Sequence, residues 1–210
     1  MRKSYYKNIS GFLFLFFYLL NSLSLISFSN NSNESIIYYL AKEKSESLSK
    51  SNIVPFIEKD FIGFKEFLGF FESGSEYDKI NRFGYLGKYQ FGKNTLNVFG
   101  IYDLDEFIQN PELQEKVFLM NVKRNKWLLR REISLFSNKF IGELYITESG
   151  ILAAAHLSGP GNVKKFLKNN ASIKFNKKDA NGTSIIDYIR IFKNYNLVNI
   201  EHERKPNINQ

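Results

Sequence analysis

One carboxylate in the chain stands in a setting that suits acid catalysis. Glu72 follows Phe70 and Phe71 and is itself followed by Ser73 and Gly74. Apolar neighbours and the negative end of a helix dipole both disfavour the charged carboxylate, so they raise its pKa. A carboxylic acid that keeps its proton near neutral pH can act as a general acid. The other interpretation of Glu72 is a surface residue that ends an amphipathic helix.

The segment after Glu72 contains the residue types that a sugar-binding cleft requires. Gly84, Gly87 and Gln90 follow one another at intervals of three residues. Glycine lets the backbone turn sharply or approach a ligand closely, and a glutamine amide both donates and accepts hydrogen bonds, as sugar hydroxyls and N-acetyl groups demand. Three tyrosines of the segment offer flat faces for pyranose rings, although core packing is the alternative in a chain with 12 tyrosines: Tyr77, Tyr85 and Tyr89.

These residues, in this order, resemble the motifs of lytic transglycosylases in the lysozyme-like superfamily. The family pattern begins with Glu-Ser, continues to a Gly-x-x-Gly-x-x-Gln block and follows with a Thr. At matching spacing this chain has Glu72, Ser73, Gly84, Gly87, Gln90 and Thr95.

Two later family motifs are matched in part. The family's Ala-Tyr-Asn-Ala-Gly-Pro-Gly-x-Val is similar to residues 155–163, AHLSGPGNV, in which His156 and Leu157 replace the Tyr and the Asn. A family tyrosine in a late helix is matched by Tyr188, but the Glu-Thr-Arg that precedes it in the family is absent. The resemblance covers about residues 58 to 195.

The resemblance implies a fold, a substrate and a reaction. The fold is mainly α, a lysozyme-like α+β domain with one short irregular or β segment lining a glycan cleft. The substrate is the glycan of peptidoglycan, cut between N-acetylmuramic acid and N-acetylglucosamine. In this reaction Glu72 first protonates the leaving oxygen and then takes the proton of the C6 hydroxyl, which closes a 1,6-anhydro ring. The residues implied in substrate binding are Ser73, Gly87, Tyr89, Gln90, His156, Gly159 and Tyr188.

Two rival functions stay open at the level of the sequence. Ordinary glycoside hydrolysis uses two carboxylates, and three lie close enough in the chain to position a water in a hydrolytic muramidase: Glu76, Asp78 and Asp103. The altered Gly-Pro-Gly motif favours a peptidoglycan-binding protein without turnover. The intact Glu72 argues against such a binder, because a binder has little use for an acid in an apolar setting.

Neither of two metal-site candidates has enough ligands. His156 lies in an apolar stretch, and the other histidine of the chain is in the tail, so a core or cleft-lining role is favoured over metal binding. Residues 179–182, DANG, match part of a calcium-loop pattern but lack the downstream Glu, which indicates a turn. We therefore expect no metal and no cofactor.

Composition limits the partners. The formal charge is +8, which favours anionic partners such as nucleic acid, membranes or acidic polymers. The positive charge is spread along the chain and not grouped in a stripe, which argues against nucleic acid. There is no Cys, which excludes disulfides, a Cys nucleophile and a lipid-modified cysteine. We expect a monomer whose partner is the peptidoglycan glycan strand.

The N-terminus predicts export. Basic residues precede a dense apolar run at residues 11–20, and small residues follow at Ser27 and Ser29, as in a signal peptide cleaved after residue 29. The alternative is an uncleaved anchor at residues 9–28, since a bilayer span needs about 20 apolar residues. Either route leads to the periplasm or cell envelope, and the membrane is contacted only through this segment.

Local patterns divide the rest of the chain. Residues 30–54 are polar and Ser-rich and indicate a linker, residues 55–200 the catalytic domain, and residues 201–210 a polar tail. Apolar residues at positions 61, 64, 67, 68 and 71 predict a helical face that ends at Gly74. A second helix is expected from Lys93. Residues 73–92 are rich in Gly and Tyr and have no helical period, which predicts a loop or a short irregular sheet.

Capping residues mark the later helices. Asn110 as N-cap and Pro111 at the first position predict one long helix that continues to residue 136. Thr147 is the predicted N-cap of a helix whose side chains are small and apolar, so we expect this helix to be buried. The sequence SGPG ends it. Another helix resumes after this break, and a last one begins after Thr183 or Ser184.

Overall fold

A computed structural model describes residues 58–179 and 182–208. All described residues belong to one compact unit. The predicted signal or anchor at residues 1–29, the linker at 30–54 and the start of the domain at residue 55 lie outside the described residues. Within the described part of the chain, no helix has the length and hydropathy that crossing a bilayer requires.

The described residues are mainly helical, as the sequence predicted. Their eight α-helices are α1 (Phe61–Ser73), α2 (Lys93–Val98), α3 (Leu104–Gln109), α4 (Pro111–Leu128), α5 (Arg130–Phe136), α6 (Glu148–Ser158), α7 (Pro160–Lys168) and α8 (Ile185–Ile191). A 3₁₀ turn covers Ile173–Phe175. Strands β1 (Lys139–Ile141) and β2 (Leu144–Ile146) form an antiparallel hairpin in which Lys139 pairs with Ile146.

Helix α1 begins and ends at side chains and turns that are local in the sequence. The Asp60 carboxylate accepts a hydrogen bond from the Gly63 amide at 2.9 Å and caps the helix. At the other end Gly74 adopts the left-handed conformation, with φ of 78°, which suits glycine because it has no Cβ. Phe64 and Leu68 are fully buried on the predicted apolar face. The last turn of α1 therefore presents Glu72 at a defined end of the helix.

The prediction of one long helix from residue 111 to residue 136 is wrong. Leu129 leaves helical geometry with ψ of 8°, which separates α4 from α5. The side chain of Leu129 is fully buried, so the break occurs inside the core. After the break, α5 places the buried Glu132 at 3.7 Å from the ammonium groups of both Lys164 and Lys168 on α7. Tertiary packing with α7 thus accompanies the change of direction.

Helix α6 lies at the centre of the domain and packs against α4, α7 and α8. Its N-cap is Thr147, as predicted. Small residues allow the close approach of neighbours: a Cβ at Gly150 would lie 2.8 Å from the Ile189 carbonyl oxygen of α8. This close packing brings α8 and the C-terminal end of α6 to the same side of α1.

The segment between α1 and α2 forms the irregular β structure that the sequence predicted. Isolated antiparallel bridges pair Leu86 with both Ile80 and Phe91. Leu86 and Phe91 are buried and anchor the segment to the core. Three elements had no prediction: helix α3, the 3₁₀ turn at Ile173–Phe175 and the β1–β2 hairpin, where the rings of Phe140 and Tyr145 lie 5.0 Å apart.

Candidate active site

Glu72 lies where three helices meet. Its side chain, at the C-terminal end of α1, is 16% exposed. The Tyr188 hydroxyl of α8 donates a hydrogen bond to Oε1 of Glu72 at 2.5 Å. The Nε2 of His156, on α6, lies 4.0 Å from the same oxygen. The carboxyl group is therefore enclosed by protein on one side and reachable on the other.

Burial raises the pKa of Glu72 to about 7. Loss of hydration is the main cause, because a charged carboxylate is poorly solvated in this position. The hydrogen bond from Tyr188 acts in the opposite direction, and the negative charge of Asp179 raises the pKa further. A carboxylic acid with this pKa holds its proton near neutral pH and can also lose it, as a group that serves as acid and then as base must do.

Tyr188 is buried beside Glu72 and holds its carboxyl group by a hydrogen bond. Its side chain is 1% exposed, and its ring packs edge-on against Phe71 at 5.4 Å. Ser184 and Asp187 form a capping box at the start of α8, which orients this short helix. The resemblance implied that Tyr188 binds substrate; in the structure its ring is buried and its hydroxyl is used by Glu72.

His156 is neutral and has a defined tautomer. Its Nε2 lies 2.8 Å from the Tyr89 carbonyl oxygen, and a carbonyl only accepts, so Nε2 carries the proton. The Nδ1 then accepts from the Asn121 amide at 3.3 Å, and the Asn121 oxygen accepts from Asn125. Burial lowers the pKa of His156 to about 4, although the hydrogen bond to Tyr89 opposes this. With 7% of the side chain exposed, His156 lines the base of the site.

Gly87 has a structural role in the described loop. Its φ is 74°, and an ideal Cβ would lie 2.1 Å from the Gln114 Oε1. The Gln114 side chain cannot easily move, because its oxygen accepts from the Lys88 amide at 2.9 Å and its nitrogen donates to the carbonyls of Tyr77 and Phe107. Glycine is therefore required at position 87 for both conformation and space.

Gln90 also holds the loop together. Its backbone adopts a left-handed φ of 50°, and its Nε2 donates to the Gly87 carbonyl at 2.8 Å. The side chain is partly exposed. Since the amide nitrogen is bound within the loop, the amide oxygen is the group through which Gln90 can contact a ligand.

Two predicted substrate-binding residues are buried instead. Ser73 is 2% exposed, and its hydroxyl donates to the Lys88 carbonyl at 2.8 Å. Tyr89 is fully buried, with its ring stacked on Phe118 at 4.0 Å and its hydroxyl donating to Glu115 at 2.7 Å. The resemblance implied that both residues bind the glycan; in the structure their side chains offer almost no accessible surface, and their hydroxyls bind within the domain. Only the carbonyl of Tyr89 reaches the site, through His156.

Of the three tyrosines expected to face pyranose rings, one keeps a large free surface. Tyr85 is 45% exposed, and its ring edge lies over Gly92, where an ideal Cβ would be 3.2 Å away. Tyr77 is partly buried and donates its hydroxyl to Glu115 at 2.7 Å.

Gly159 lies at the junction of α6 and α7. Its φ of 80° and ψ of 151° belong to a region that is populated almost only by glycine. A Cβ there would meet no atom within 4 Å, so the requirement is conformational. The turn at Gly159 ends α6 three residues after His156 and lets Pro160 start α7.

The three carboxylates suggested as water-positioning groups do not converge on Glu72. Glu76 is 60% exposed and pairs with Lys79 at 3.5 Å, Asp78 is exposed, and Asp103 caps α3 by accepting from the Glu106 amide.

A different carboxylate, Asp179, acts on the site electrostatically. Its negative charge raises the pKa of both Glu72 and Tyr188. The Asp179 Oδ1 accepts a hydrogen bond from the Thr183 amide at 2.8 Å, close to the start of α8. The two central residues of the turn predicted at 179–182 lie outside the described residues, and no spacing rule connects Asp179 to Glu72.

Other residues of the site were missed as well. Asn121 and Asn125 orient His156 from α4, and their four-residue spacing among apolar positions was the available signal. In the described part of the chain no group of three or more His, Asp or Glu side chains could hold a metal ion.

Comparisons with known proteins add no further information: no family model, no curated protein and no solved structure matches the chain.

Proposed function

We propose that this protein is a peptidoglycan lytic transglycosylase with a lysozyme-like fold. The observation that supports it most is the state of Glu72, a single carboxylic acid with a pKa of about 7 at the end of α1. Beside it lies the loop that contains Gly87 and Gln90, held by glycine conformations and internal hydrogen bonds. A glycan strand is the substrate that best suits an acid next to a rigid polar loop with an exposed Tyr85.

The proposed reaction uses Glu72 twice. In the first step the protonated Glu72 gives its proton to the glycosidic oxygen while the bond from that oxygen to C1 of N-acetylmuramic acid breaks. The 2-acetamido group of the same sugar stabilises the electron-poor C1. In the second step the Glu72 carboxylate takes the proton of the C6 hydroxyl, and O6 forms a bond to C1. The products are a 1,6-anhydro-muramic end and a free N-acetylglucosamine hydroxyl.

The surroundings of Glu72 suit both steps. The Tyr188 hydroxyl can stabilise the carboxylate that exists between them, since it donates to the oxygen that becomes charged. His156 stays neutral, so it places no positive charge beside Glu72 that would remove the acid proton prematurely.

A hydrolytic muramidase on the same fold is the second candidate, and Asp179 is the observation that favours it. Two carboxylates allow one to act as acid while the other activates a water. The negative charge of Asp179 acts on Glu72, so this role has a specific residue to test. A non-catalytic peptidoglycan-binding protein is the third candidate, motivated by His156 and Leu157 in the Gly-Pro-Gly motif.

Mass spectrometry of digested peptidoglycan sacculi separates these candidates. Purified protein should release muropeptides with 1,6-anhydro ends, and Glu72→Gln should release none. Glu76→Gln is the matched control, since this exposed carboxylate lies four residues away and should be dispensable. Reducing ends in place of anhydro ends, together with an inactive Asp179→Asn variant, would establish the muramidase. Sacculus binding without any soluble product would refute an enzymatic function.

We also propose that the protein is exported and works as a monomer in the periplasm or cell envelope. A fusion of residues 1–29 to a reporter tests this proposal. The reporter should cross the membrane, and the mature chain should begin near Asn30. Full-length protein retained in the cytoplasm would contradict it, and uncut protein in membranes would indicate the anchor.

A further inference from the structure

A buried lysine, Lys88, connects the loop that contains Gly87 and Gln90 to two helices. The side chain of Lys88 is 3% exposed. Its ammonium group donates to both oxygens of Glu66 on α1, at 2.9 and 2.8 Å, and to Oε1 of Glu115 on α4 at 2.9 Å. The Tyr77 hydroxyl lies 3.2 Å from the same nitrogen. Lysine is almost never so deeply buried unless it is paired, and here all three protons have acceptors.

The path of this side chain requires a glycine on α1. An ideal Cβ at Gly69 would lie 2.7 Å from Cε and 2.9 Å from Cγ of Lys88. These atoms belong to the middle of the side chain and cannot swing aside while the ammonium group stays bound. Glycine inside a helix is less favourable than alanine, so the passage of Lys88 explains an otherwise unfavourable residue.

The backbone of Lys88 is held as firmly as its side chain. Its amide donates to Gln114 on α4 at 2.9 Å. Its carbonyl accepts from the Ser73 hydroxyl at the end of α1, at 2.8 Å. One residue thus links the loop to both helices through three separate groups.

The charges in this cluster balance. Lys65 and Lys88 face Glu66 and Glu115, and Lys65 contacts both carboxylates. Burial alone would raise the pKa of Glu115, but the hydrogen bonds from Lys65 and Lys88 outweigh it and lower the pKa to about 2. Both sides of the pair are therefore charged at neutral pH. Removing one member of such a pair leaves an uncompensated buried charge.

The position of Lys88 ties this cluster to the candidate active site. Ser73, which binds the Lys88 carbonyl, directly follows Glu72. Tyr89, the next residue after Lys88, supplies the carbonyl that binds His156, and His156 lies 4.0 Å from the Glu72 oxygen. We propose that Lys88 is a positioning residue. Its buried ammonium group fastens the loop to α1 and α4 through Glu66 and Glu115, a set of contacts that we call the clasp. The clasp keeps Tyr89, His156 and Glu72 in their relative positions. The reaction that this clasp serves is the proposed glycan cleavage, so the inference rests on that function.

Three variants isolate the clasp. Lys88→Met keeps the length of the side chain and removes the ammonium group. Gly69→Ala keeps every charge and displaces the lysine by its added Cβ. Lys65→Met is the matched control, because Lys65 contacts the same two carboxylates but is not part of the loop.

The first readout needs no activity: a ¹³C NMR titration of the Glu72 carboxyl carbon. The groups that face this carboxyl are Tyr188 of α8, His156 of α6 and Asp179 of the turn before α8. In Lys88→Met and in Gly69→Ala the loop should loosen and admit water, so the pKa of Glu72 should fall from about 7 toward its ordinary 4.5. Loss of a positive charge by itself would raise the pKa of a carboxyl, so the direction separates the two effects. In Lys65→Met the pKa should stay near 7.

The second readout is the rate of glycan cleavage. Misplacement of a catalytic group by about 1 Å can cost roughly 10²-fold in rate, and we expect a loss of that order in kcat for Lys88→Met and Gly69→Ala. Lys65→Met should keep its kcat. If the wild-type protein cleaves no glycan, the proposed function fails, but the NMR titration still decides the role of Lys88. An unchanged Glu72 pKa in Gly69→Ala, or equal changes in the Lys65 and Lys88 variants, would overturn the clasp.

Discussion

Replacement of Glu72 by glutamine should stabilise the protein at neutral and alkaline pH. The amide has the same size, and its oxygen can still accept from the Tyr188 hydroxyl. It differs in that it never becomes charged. The folded protein holds Glu72 with a pKa of about 7, whereas its ordinary value is 4.5. Folding therefore opposes the ionisation of this group.

The size and pH window of the effect follow from these two values. Below pH 4.5 the carboxyl is protonated in both states, so the wild type and Glu72→Gln should unfold with similar free energies. Between pH 4.5 and 7 the folded state binds more protons than the unfolded state, so wild-type stability falls as pH rises. Each pH unit between the two pKa values corresponds to about 1.4 kcal/mol. Above pH 8 the variant should be more stable by about 3 kcal/mol, equivalent to roughly 10 °C in Tm.

The assay is thermal or urea unfolding of both proteins from pH 4 to pH 9. The difference between them is the informative quantity, because the other titrating groups contribute to both. His156 is the main such group: its pKa of about 4 against an ordinary 6.5 makes both proteins less stable as pH falls below 6.5.

Glu76→Gln is the matched control for this measurement. Glu76 is 60% exposed, and removal of an exposed ion pair changes stability by at most about 1 kcal/mol. A flat difference between wild type and Glu72→Gln across the pH range would refute the burial of an ionisable Glu72. It would also remove the observation on which the proposed function depends.

Further predictions concern residues around the acid. Tyr188→Phe should keep the ring contact with Phe71 but remove a hydrogen bond that lowers the pKa of Glu72. The pKa of Glu72 should therefore rise, and the alkaline limb of the plot of kcat against pH should move to a higher pH than in the wild type. An unmoved limb would contradict the role of Tyr188. Gly87→Ala should lose at least about 2 kcal/mol in urea unfolding, because it adds a clash to the cost of a positive φ, about 1–2 kcal/mol. Gly84 has a φ of 77° and no atom within 4 Å of its ideal Cβ, so Gly84→Ala should lose only the stability that the positive φ costs. Equal losses of stability in Gly84→Ala and Gly87→Ala would exclude a clash with Gln114. Gln90→Ala should lose about 1 kcal/mol for its hydrogen bond and most of its cleavage rate; a fully active variant would exclude contact between Gln90 and the glycan.

The ends of the helices could be predicted because they depend on residues a few positions apart. Gly74, Asn110 and Thr147 each mark a helix end where the sequence placed it, and Ser184 is one of the two caps predicted for the last helix. In each case a side chain or a left-handed glycine satisfies backbone groups of the adjacent turn. The position of Glu72 in the last turn of α1 was predictable for the same reason, since the helix end at Gly74 is local.

The roles of Ser73, Tyr89 and Tyr188 could not be predicted from the sequence. Their residue types suit hydrogen bonding or stacking with a sugar, but the structure buries all three. Whether a tyrosine faces a ligand or the core depends on which helices pack over it, and the pattern around each residue is compatible with both. The break at Leu129 has the same origin, because local propensity favours a continuous helix and the buried packing of α5 against α7 accompanies the change in direction.

The sequence by itself indicated the candidate acid, Glu72, and the segment that forms the irregular loop after α1. Only the tertiary structure decided what surrounds that acid: Tyr188 from α8, His156 from α6 and the charge of Asp179. It also decided that Lys88 is buried between two glutamates from different helices. Such pairings join positions far apart in the chain, and they form because burial makes an unpaired polar group costly, a condition that exists only once the helices have packed.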